Sequence, residues 1–415
     1  MGFDSPRLKK PKIKRKVDSV IMKRSRRRTD LRKSNKSGKG FIMSKLRDFA
    51  VTAKGMDIQF LVAVYILLTF GLLMVLSASS PIAYASEATN HDSFYYFKKQ
   101  FMWAILGSIG MFITANYDYR KLKKWAFPAL CLSVFLLLLV LIPGIGRKIN
   151  DARRWIYIGP INFQPSEVAK ITMIVFFSYS LSKNYKELKN FGVFLMYIAI
   201  IGVVAMIIMM EPHFSCTMLI VASCVILMFV AGARIAHFLV LCLPVIPVLI
   251  LVVVKSPYRL ARVLSFLDPF EDIQGSGWQV VQSLYAIGSG GIFGAGLGQS
   301  RQKYLNIPEP QNDFIFSILA EEFGLLGAVL VSLMFIFLIT RGIKIALKAP
   351  DLFGTLLATG IIGLIAIQAL VNIAVVTSSI PVTGMPLPFF SYGGTALAIT
   401  MAEMGIVLNV SKHSK

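Results

Sequence analysis

Cysteine and histidine are scarce in this chain, which contains four of each among 415 residues. Three of the four cysteines, Cys131, Cys216, Cys224 and Cys242, fall well inside apolar runs, where cysteine behaves as a small hydrophobic residue. The histidines are scattered and lack Cys or carboxylate neighbours at the spacing of metal ligands. The sequence therefore shows neither a disulfide framework nor a metal–imidazole site.

The first 54 residues have little apolar content. They contain 19 Lys and Arg against 4 Asp, which accounts for +15 of the formal net charge of +23. Because such a segment cannot bury enough apolar surface to fold, we expect residues 1–54 to form a disordered tail, and they lack the apolar core of a signal peptide. We interpret the tail as a cytoplasmic anchor that contacts anionic lipid, with a docking segment for a cytoplasmic partner as the alternative. No folded module or aromatic interleaving accompanies the charge, so we expect no nucleic-acid partner.

Long apolar runs dominate residues 55–412, which we expect to form one membrane domain. The chain is 55% hydrophobic, and about 20 helical residues cross the ~30 Å of hydrocarbon in a bilayer. We therefore predict an all-α polytopic membrane protein with about ten transmembrane helices. The predicted spans are 58–79, 101–116, 125–142, 165–181, 191–210, 216–231, 238–254, 314–340, 353–377 and 391–410.

Positive charge in the connecting loops predicts the orientation of these spans. The basic tail places the N-terminus in the cytoplasm. Loops that follow an even number of spans also carry Lys and Arg, as in "NYDYRKLKKW" and "RGIKIALK", and the chain ends in "KHSK". Ten spans with both termini cytoplasmic satisfy all of these biases together.

Two loops on the predicted outer side depart from this pattern. Residues 143–164 carry four cations there, which indicates an anionic ligand at the outer face. These cations are Arg147, Lys148, Arg153 and Arg154. Residues 255–313, between the seventh and eighth spans, form the longest outer segment, and loops of that length in compact folds are usually functional or disordered. Apolar periodicity in "WQVVQSLYAI" predicts an ordered, partly re-entrant element in this loop.

Signatures of nucleotide chemistry are missing. The Gly-rich "GSGGIFGAGLGQS" has neither the Lys-Ser/Thr ending of a Walker motif nor a preceding strand, so close helix packing or a tight turn is the better interpretation. An enzyme that uses a nucleotide sugar with a metal commonly shows an Asp-x-Asp pair, and none is present, which favours a lipid-linked donor. No internal repeat is evident, which disfavours a transporter built from inverted halves.

Ionisable residues within the spans are candidates for function, because charges at membrane depth are costly. Glu167 and Lys170 lie three residues apart on one face of the fourth span. They form either a structural ion pair or a phosphate-binding site in which Glu167 orients Lys170. Glu321 and Glu322 lie about 12 Å beyond Asp313 along the eighth span, and we expect them to bond to neighbouring helices.

Two proline-containing stretches border the last three spans. In "NIPEPQNDFIF" the prolines disfavour an early helix, so the eighth span is predicted to begin near Asp313. That start holds the Asp313 carboxylate at the membrane boundary, whereas Glu309 lacks a defined position. The stretch "SSIPVTGMPLPFFSYGGT" at 378–395 cannot form a continuous helix and predicts a kinked outer loop.

Together these stretches resemble the SEDS family (shape, elongation, division and sporulation) over residues 50–412. The resemblance is carried by "RRWIYIGPINFQPSEVAKI", by "GWQVVQSLYAIGSGGIFGAGLGQSRQKYLNIPEPQNDFIFSILAEEFG" and by "IPVTGMPLPFFSYGGT". The sequence "SRQKYLNIPEP" and the long basic tail are more similar to the FtsW branch, or to its sporulation relative SpoVE, than to RodA.

The resemblance implies a peptidoglycan glycosyltransferase that polymerises lipid II at the outer face of the bacterial cytoplasmic membrane, for septal wall synthesis in cell division. It implies a class B penicillin-binding protein as partner, a transpeptidase, together with other divisome membrane proteins. It also implies Asp313 as the catalytic residue, and it matches Glu167 and Lys170 to the family's fourth-span acid and lysine.

The implied reaction needs a base for the acceptor hydroxyl and cations for the departing pyrophosphate. We expect Asp313 to be the general base. The cations predicted to bind substrate are Arg153, Arg154, Lys170, Arg259, Arg262 and Lys303. No protein metal site is predicted, and a divalent cation, Mg²⁺ or Mn²⁺, at the pyrophosphate is left open.

Two positions depart from the family pattern. Gln311 stands where a His is common, and "EPHFSC" at 211–216 replaces an "EPDLGT"-like turn, with His213 in place of the acid. We therefore assign catalysis to neither residue. A lipid II translocase, a SpoVE-like sporulation paralogue and a pure scaffold for the partner are the alternative functions.

Overall fold

The computed structural model describes residue 2 and residues 55–149, 152–158, 161–273, 275, 277–304 and 307–414. The predicted tail, apart from Gly2, lies outside the described residues. Most of the described chain is helical. The helices are α1 (Ile58–Ala85), α2 (Tyr95–Asn116), α3 (Leu122–Leu141), α4 (Pro165–Asn184), α5 (Phe191–Met210), α6 (Phe214–Val230), α7 (Ile235–Val254), α8 (Pro257–Leu267), α9 (Trp278–Gly290), α10 (Ile315–Leu347), α11 (Leu352–Val376) and α12 (Gly394–His413).

A helix lies at each of the ten predicted spans, and these helices are α1 to α7 and α10 to α12. Within the described residues, six helical segments are long and apolar enough to cross a membrane by length and composition. Two shorter apolar helices coincide with α6 and with most of α7. The chain is therefore a multi-pass membrane protein, and the exact number of ten spans stays a prediction.

A small antiparallel sheet follows α3, and the prediction of an all-α fold was wrong at this point. Its strands β1 (Gly146–Ile149), β2 (Ala152–Ile158) and β3 (Ile161–Phe163) pair in the order β1-β2-β3. The β2 sequence "ARRWIYI" is rich in the aromatic and β-branched residues that favour strands. The dipeptides Asn-Asp and Gly-Pro that separate the strands are typical of turns, so the signal was present in the sequence.

The long segment 255–313 contains two helices in its described part. Helix α8 begins at Pro257, and α9 covers the predicted apolar periodicity from Trp278 onward. No helix is found between α11 and α12 in the described chain, as the three prolines of 378–395 predict. The eighth predicted span, α10, begins at Ile315, two residues after Asp313, which confirms the predicted start.

The Gly-rich stretch after α9 packs against an interruption in α10. At Gly324 the helical dihedrals are broken by a φ of +67°. The N–H groups of Ala295 and Gly296 donate to the main-chain oxygens of Glu321 and Glu322, each at 2.9 Å. The stretch therefore supplies the hydrogen bonds that the broken helix lacks, in agreement with its interpretation as a packing element.

Ion pairs show which helix ends lie together. Asp57, before α1, pairs with Arg341 in the last part of α10. Lys123 of α3 pairs with Asp351, before α11, at 2.9 Å. We call this side of the bundle the Asp57 end. Because Asp313 precedes α10, it lies at the opposite side, which we call the Asp313 end.

Candidate active site

A cavity of about 320 Å³ opens at the Asp313 end of the bundle. Loops and helix ends form most of its wall, since it is lined by β2, the start of α4, the turn between α5 and α6, residues 309–313, residues 384–393 and parts of α11 and α12. Polar and apolar side chains both line it. This combination suits a ligand with a charged head and an apolar chain.

Asp313 contributes its carboxylate to this cavity and is half-buried. Burial raises the pKa of Asp313 to about 6, and the negative charge of Glu309 adds to the rise, whereas Arg262 and Arg154 oppose it. A carboxylate with a pKa near 6 is ionised at neutral pH and is more basic than an exposed aspartate. Glu309 is exposed and accepts a hydrogen bond from Asn312 Nδ2 at 2.7 Å.

The main chain around Asp313 is held from three sides. The N–H of Tyr392 donates to the main-chain oxygen of Gln311 at 2.8 Å. Ser391 Oγ donates to that of Asn312 at 2.7 Å. Asn372 Nδ2 donates to that of Asp313 at 2.8 Å. The proline-containing segment and α11 therefore position the carboxylate, which its own loop could not do alone.

A glycine keeps space beside the carboxylate. A Cβ added at Gly384 would lie 3.1 Å from Asp313 Oδ2, and the φ of +70° at Gly384 is one that other residues rarely adopt. The proline-containing segment therefore approaches Asp313 more closely than a larger residue would allow.

Two of the predicted cations lie near Asp313. Arg154 lines the cavity and donates from Nε to the main-chain oxygen of Glu211 at 3.2 Å, and a second donation goes to the main-chain oxygen of Pro212. Arg262 donates to the main-chain oxygen of Val382 at 3.0 Å, and its charge acts on Asp313. Both guanidinium groups therefore place positive charge near the carboxylate.

The other predicted cations lie elsewhere or outside the description. Arg153 donates to the main-chain oxygen of Leu141 at 3.2 Å and does not line the cavity. Lys303 is buried and pairs with Glu322 at 2.8 Å, with a further bond to Ser77 Oγ at 3.1 Å. The side chain of Arg259 lies outside the described residues. The site therefore brings together fewer cations than the sequence suggested.

Glu167 and Lys170 form a buried ion pair at 2.8 Å, with the i,i+3 spacing that the sequence predicted. Glu167 also lines the cavity, and Glu403 of α12 lies within electrostatic reach of Lys170. In contrast, the Glu321 carboxylate accepts a hydrogen bond from Ser300 Oγ at 2.5 Å. Glu322 accepts from Ser77 Oγ of the neighbouring helix α1, as predicted, whereas the partner of Glu321 lies in the loop before α10.

Two residues of the turn between α5 and α6, to which the sequence assigned no role, lie at or near the site. His213 lines the cavity, and Glu211 is fully buried with no hydrogen-bond partner for its carboxyl oxygens among the described residues. Burial raises the pKa of Glu211 to about 8, against the opposing charge of Arg154, which favours the neutral carboxyl. The departure of "EPHFSC" from the family pattern was the signal that marked this turn.

A metal site built by the protein is not found in the described part of the chain, where no three His, Cys, Asp or Glu side chains are grouped to hold an ion. Asp313 and Glu309 both line the cavity and together offer two carboxylates. Mg²⁺ is often held by one or two carboxylates and the phosphates of a substrate. A divalent cation at the pyrophosphate is compatible with these residues and stays a prediction.

Comparisons with known proteins agree on one family. A family model described as "Cell cycle protein", which unites FtsW, RodA and SpoVE, matches residues 58–415. Stage V sporulation protein E of Bacillus subtilis (strain 168) is 46% identical over 360 residues, covering 86% of this chain and 98% of that protein. A protein of Geobacter sp. (strain M18), named "Probable peptidoglycan glycosyltransferase FtsW", is 41% identical over 363 residues, covering 87% of this chain and 98% of that protein.

Solved structures agree with these matches. A chain from a peptidoglycan synthase complex, described as coordinating polymerization and crosslinking, superimposes with a TM-score of 0.72 at 29% identity, covering 86% of this chain and 97% of that one. The rod shape determining protein RodA of Thermus thermophilus superimposes with a TM-score of 0.61 at 26% identity, covering 86% of this chain and 96% of that one. The chain therefore belongs to the FtsW/RodA/SpoVE family of membrane proteins, the SEDS family.

Proposed function

We propose that this protein is a peptidoglycan glycosyltransferase that polymerises lipid II into glycan strands. The observation that carries the proposal is the Asp313 carboxylate, raised in pKa to about 6, in the wall of a cavity that also presents Arg154. The FtsW-named relative, at 41% identity over nearly its whole length, supports the same activity.

Asp313 acts as the general base in this proposal. It takes the proton of the acceptor's sugar hydroxyl while that oxygen attacks the anomeric carbon of the donor sugar. The bond between the anomeric carbon and the pyrophosphate oxygen breaks, and the lipid pyrophosphate departs with the bonding electrons. Arg154 and Arg262 stabilise the negative charge on the leaving group. Glu167 holds Lys170 charged beside the cavity.

The proposed orientation places both termini in the cytoplasm, with ten spans and with residues 255–313 on the outside. The ion pairs of the Asp57 end support it, because Arg341 and Lys123 lie on the same side as the start of α1. The Asp313 end then faces outward, where the head group of a lipid-anchored substrate is exposed. We place the protein in the bacterial cytoplasmic membrane, at the division septum.

A class B penicillin-binding protein is the proposed partner, together with other divisome membrane proteins. The structural match to a chain of a peptidoglycan synthase complex supports a partner of this kind. A sporulation role is the second candidate, since the identity to stage V sporulation protein E is 46%. Deleting the gene separates the two: loss of division would support the septal role, and a defect confined to spore formation would support the other.

The proposed activity is tested with lipid II and the full-length protein purified in detergent, alone and with its partner. D313N should remove most polymer, because general base catalysis contributes about 10²–10⁴-fold. E271Q is the matched control, since Glu271 is an exposed carboxylate of the same 255–313 segment and does not line the cavity. Near-normal glycan from D313N would contradict the assignment of the base. Addition of a chelator tests whether a divalent cation is needed.

The same assay separates the enzyme from a lipid II translocase. Buried charges at several depths, such as Glu167 with Lys170 and Lys303 with Glu322, could line a path for a polar head group. In each pair the two charges lie 2.8 Å apart and neutralise each other, which disfavours such a path. Polymer formed in detergent, where no bilayer is crossed, would support the enzyme, and its absence together with flipping in vesicles would support the translocase.

A further inference from the structure

His213 lies in the cavity with Asp313, although the proposed reaction does not use it. The residue precedes α6 directly and is half-buried. Its ring lines the same cavity wall as Arg154. A histidine in that position either packs as a structural residue or presents a ring nitrogen to the ligand, and its hydrogen bonds distinguish the two roles.

Both hydrogen bonds of this ring within the described chain are made at Nδ1. Ser166 Oγ lies 3.3 Å from Nδ1, and Gln164 Nε2 lies 3.5 Å from it. With the Gln164 amide oriented so that its nitrogen faces the ring, Gln164 donates and Nδ1 accepts, which assigns the ring proton to Nε2. Burial lowers the pKa of His213 to about 3, with the positive charges of Arg154 and Lys170 adding to the effect. The ring is therefore neutral, with its N–H directed away from the residues that hold Nδ1.

The charge around this ring suits an anion. Arg154 donates to the main-chain oxygens of Glu211 and Pro212, the two residues immediately before His213. Burial raises the pKa of Glu211 and so favours its neutral form, which adds no negative charge to this wall. A carboxylate at position 213 would repel a phosphate group, whereas a neutral N–H can donate to one.

We propose that His213 Nε2–H donates a hydrogen bond to an oxygen of the substrate's pyrophosphate, beside Arg154. The inference rests on the proposed function for the identity of the lipid pyrophosphate. His213 is then a substrate-binding residue. This contact would be found only in family members that have a neutral hydrogen-bond donor in place of the acid of the "EPDLGT"-like turn.

Two substitutions distinguish the ligand contact from a structural role. The side-chain oxygen of Asn reaches the position of Nδ1, where it can accept a hydrogen bond, and the amide nitrogen of Gln reaches the position of Nε2. H213N can thus keep a contact with Ser166 and Gln164 but loses the donor in the cavity. H213Q keeps a donor in the cavity but loses the inner contact.

The experiment measures binding of undecaprenyl pyrophosphate to the full-length protein in detergent, with uncharged undecaprenol as the control probe. H213N is expected to weaken pyrophosphate binding about tenfold, since a hydrogen bond to a charged group is lost. H213Q is expected to recover most of that loss. Undecaprenol binding should be equal in all three proteins. Melting temperatures identify any variant that is misfolded.

The reverse order, with H213N binding as wild type and H213Q binding weakly, would overturn the inference and assign His213 a structural role. Equal binding by all three proteins would overturn it as well. A parallel lipid II polymerisation assay on wild type keeps the two proposals separate. If wild type, H213Q and H213N bind the pyrophosphate in the expected order of affinity but wild type makes no polymer, the proposed function fails and the His213 contact stands.

Discussion

Asn372 of α11 donates from Nδ2 to the main-chain oxygen of Asp313 at 2.8 Å and to that of Met385 at 2.7 Å. One amide therefore joins the segment before α10 to the proline-containing segment. Because a displacement of about 1 Å at a catalytic group can cost ~10²-fold in rate, this contact bears directly on activity.

Replacing Asn372 with Leu should lower kcat for lipid II polymerisation at least about tenfold, because Asp313 is no longer held. Asn409→Leu is the matched control, since Asn409 also bridges two main-chain groups, accepting from Tyr119 N at 2.9 Å and donating to Ala115 O at 2.8 Å. Both variants should have a lower melting temperature than the wild type. An equal loss of kcat in both, measured on folded protein, would contradict a positioning role for Asn372.

The pH dependence of polymerisation should follow the ionisation of Asp313. The base acts only when deprotonated, so the rate should fall about tenfold per pH unit below its pKa of about 6 and level off above it. E309Q removes a negative neighbour that raises this pKa, so the acid limb should move to lower pH. R262Q removes a positive neighbour and should move the limb to higher pH. Shifts in the same direction for both variants, in initial rates across pH 4 to 8 (a range of about two units on either side of the pKa), would exclude Asp313 as the titrating base.

The buried pair of Lys303 and Glu322 should contribute to stability and not to substrate binding. K303M leaves a buried carboxylate without its cation, which costs about 3–5 kcal/mol. The double variant K303M/E322Q removes both charges and should regain most of the lost melting temperature. K98M is the surface control, because the Lys98–Asp92 pair is exposed and should have little effect. An unaltered melting temperature in K303M would contradict this role in stability. A loss of pyrophosphate binding with no loss of stability would support the predicted role of Lys303 in substrate binding.

The close contact between the Gly-rich stretch and α10 should tolerate no Cβ. A Cβ at Gly294 would lie 2.2 Å from the main-chain oxygen of Glu322, and one at Gly324 would lie 2.4 Å from the nitrogen of Gly294. Both residues also have positive φ, a conformation that costs other residues about 1–3 kcal/mol. G294A and G324A should therefore lower the melting temperature clearly. G288A is the control, since a Cβ there meets nothing within 4 Å and Ala favours the helix. Equal melting temperatures in all three variants would contradict this packing.

Much of the fold follows from local sequence. Apolar runs predicted a helix at each of ten positions, because the length of a run sets the length of a membrane helix. Prolines predicted the start of α10 near Asp313, because proline cannot lie in a helix interior without loss of a hydrogen bond. The sheet was missed because its three strands are short and lie in a loop between strongly apolar spans, although its turn dipeptides were visible.

The sequence by itself determined which residues could carry chemistry. Asp313 lies at a helix start, and Glu167 and Lys170 share one helix face, because those relations depend on residues a few positions apart. Only the tertiary structure decided which of the candidates meet. Arg154 faces the cavity and its neighbour Arg153 does not, because successive side chains of a strand point to opposite sides. Lys303 pairs with a carboxylate 19 residues further on, and His213 reaches the cavity through contacts with Gln164 and Ser166, since such partners are set by how distant segments pack.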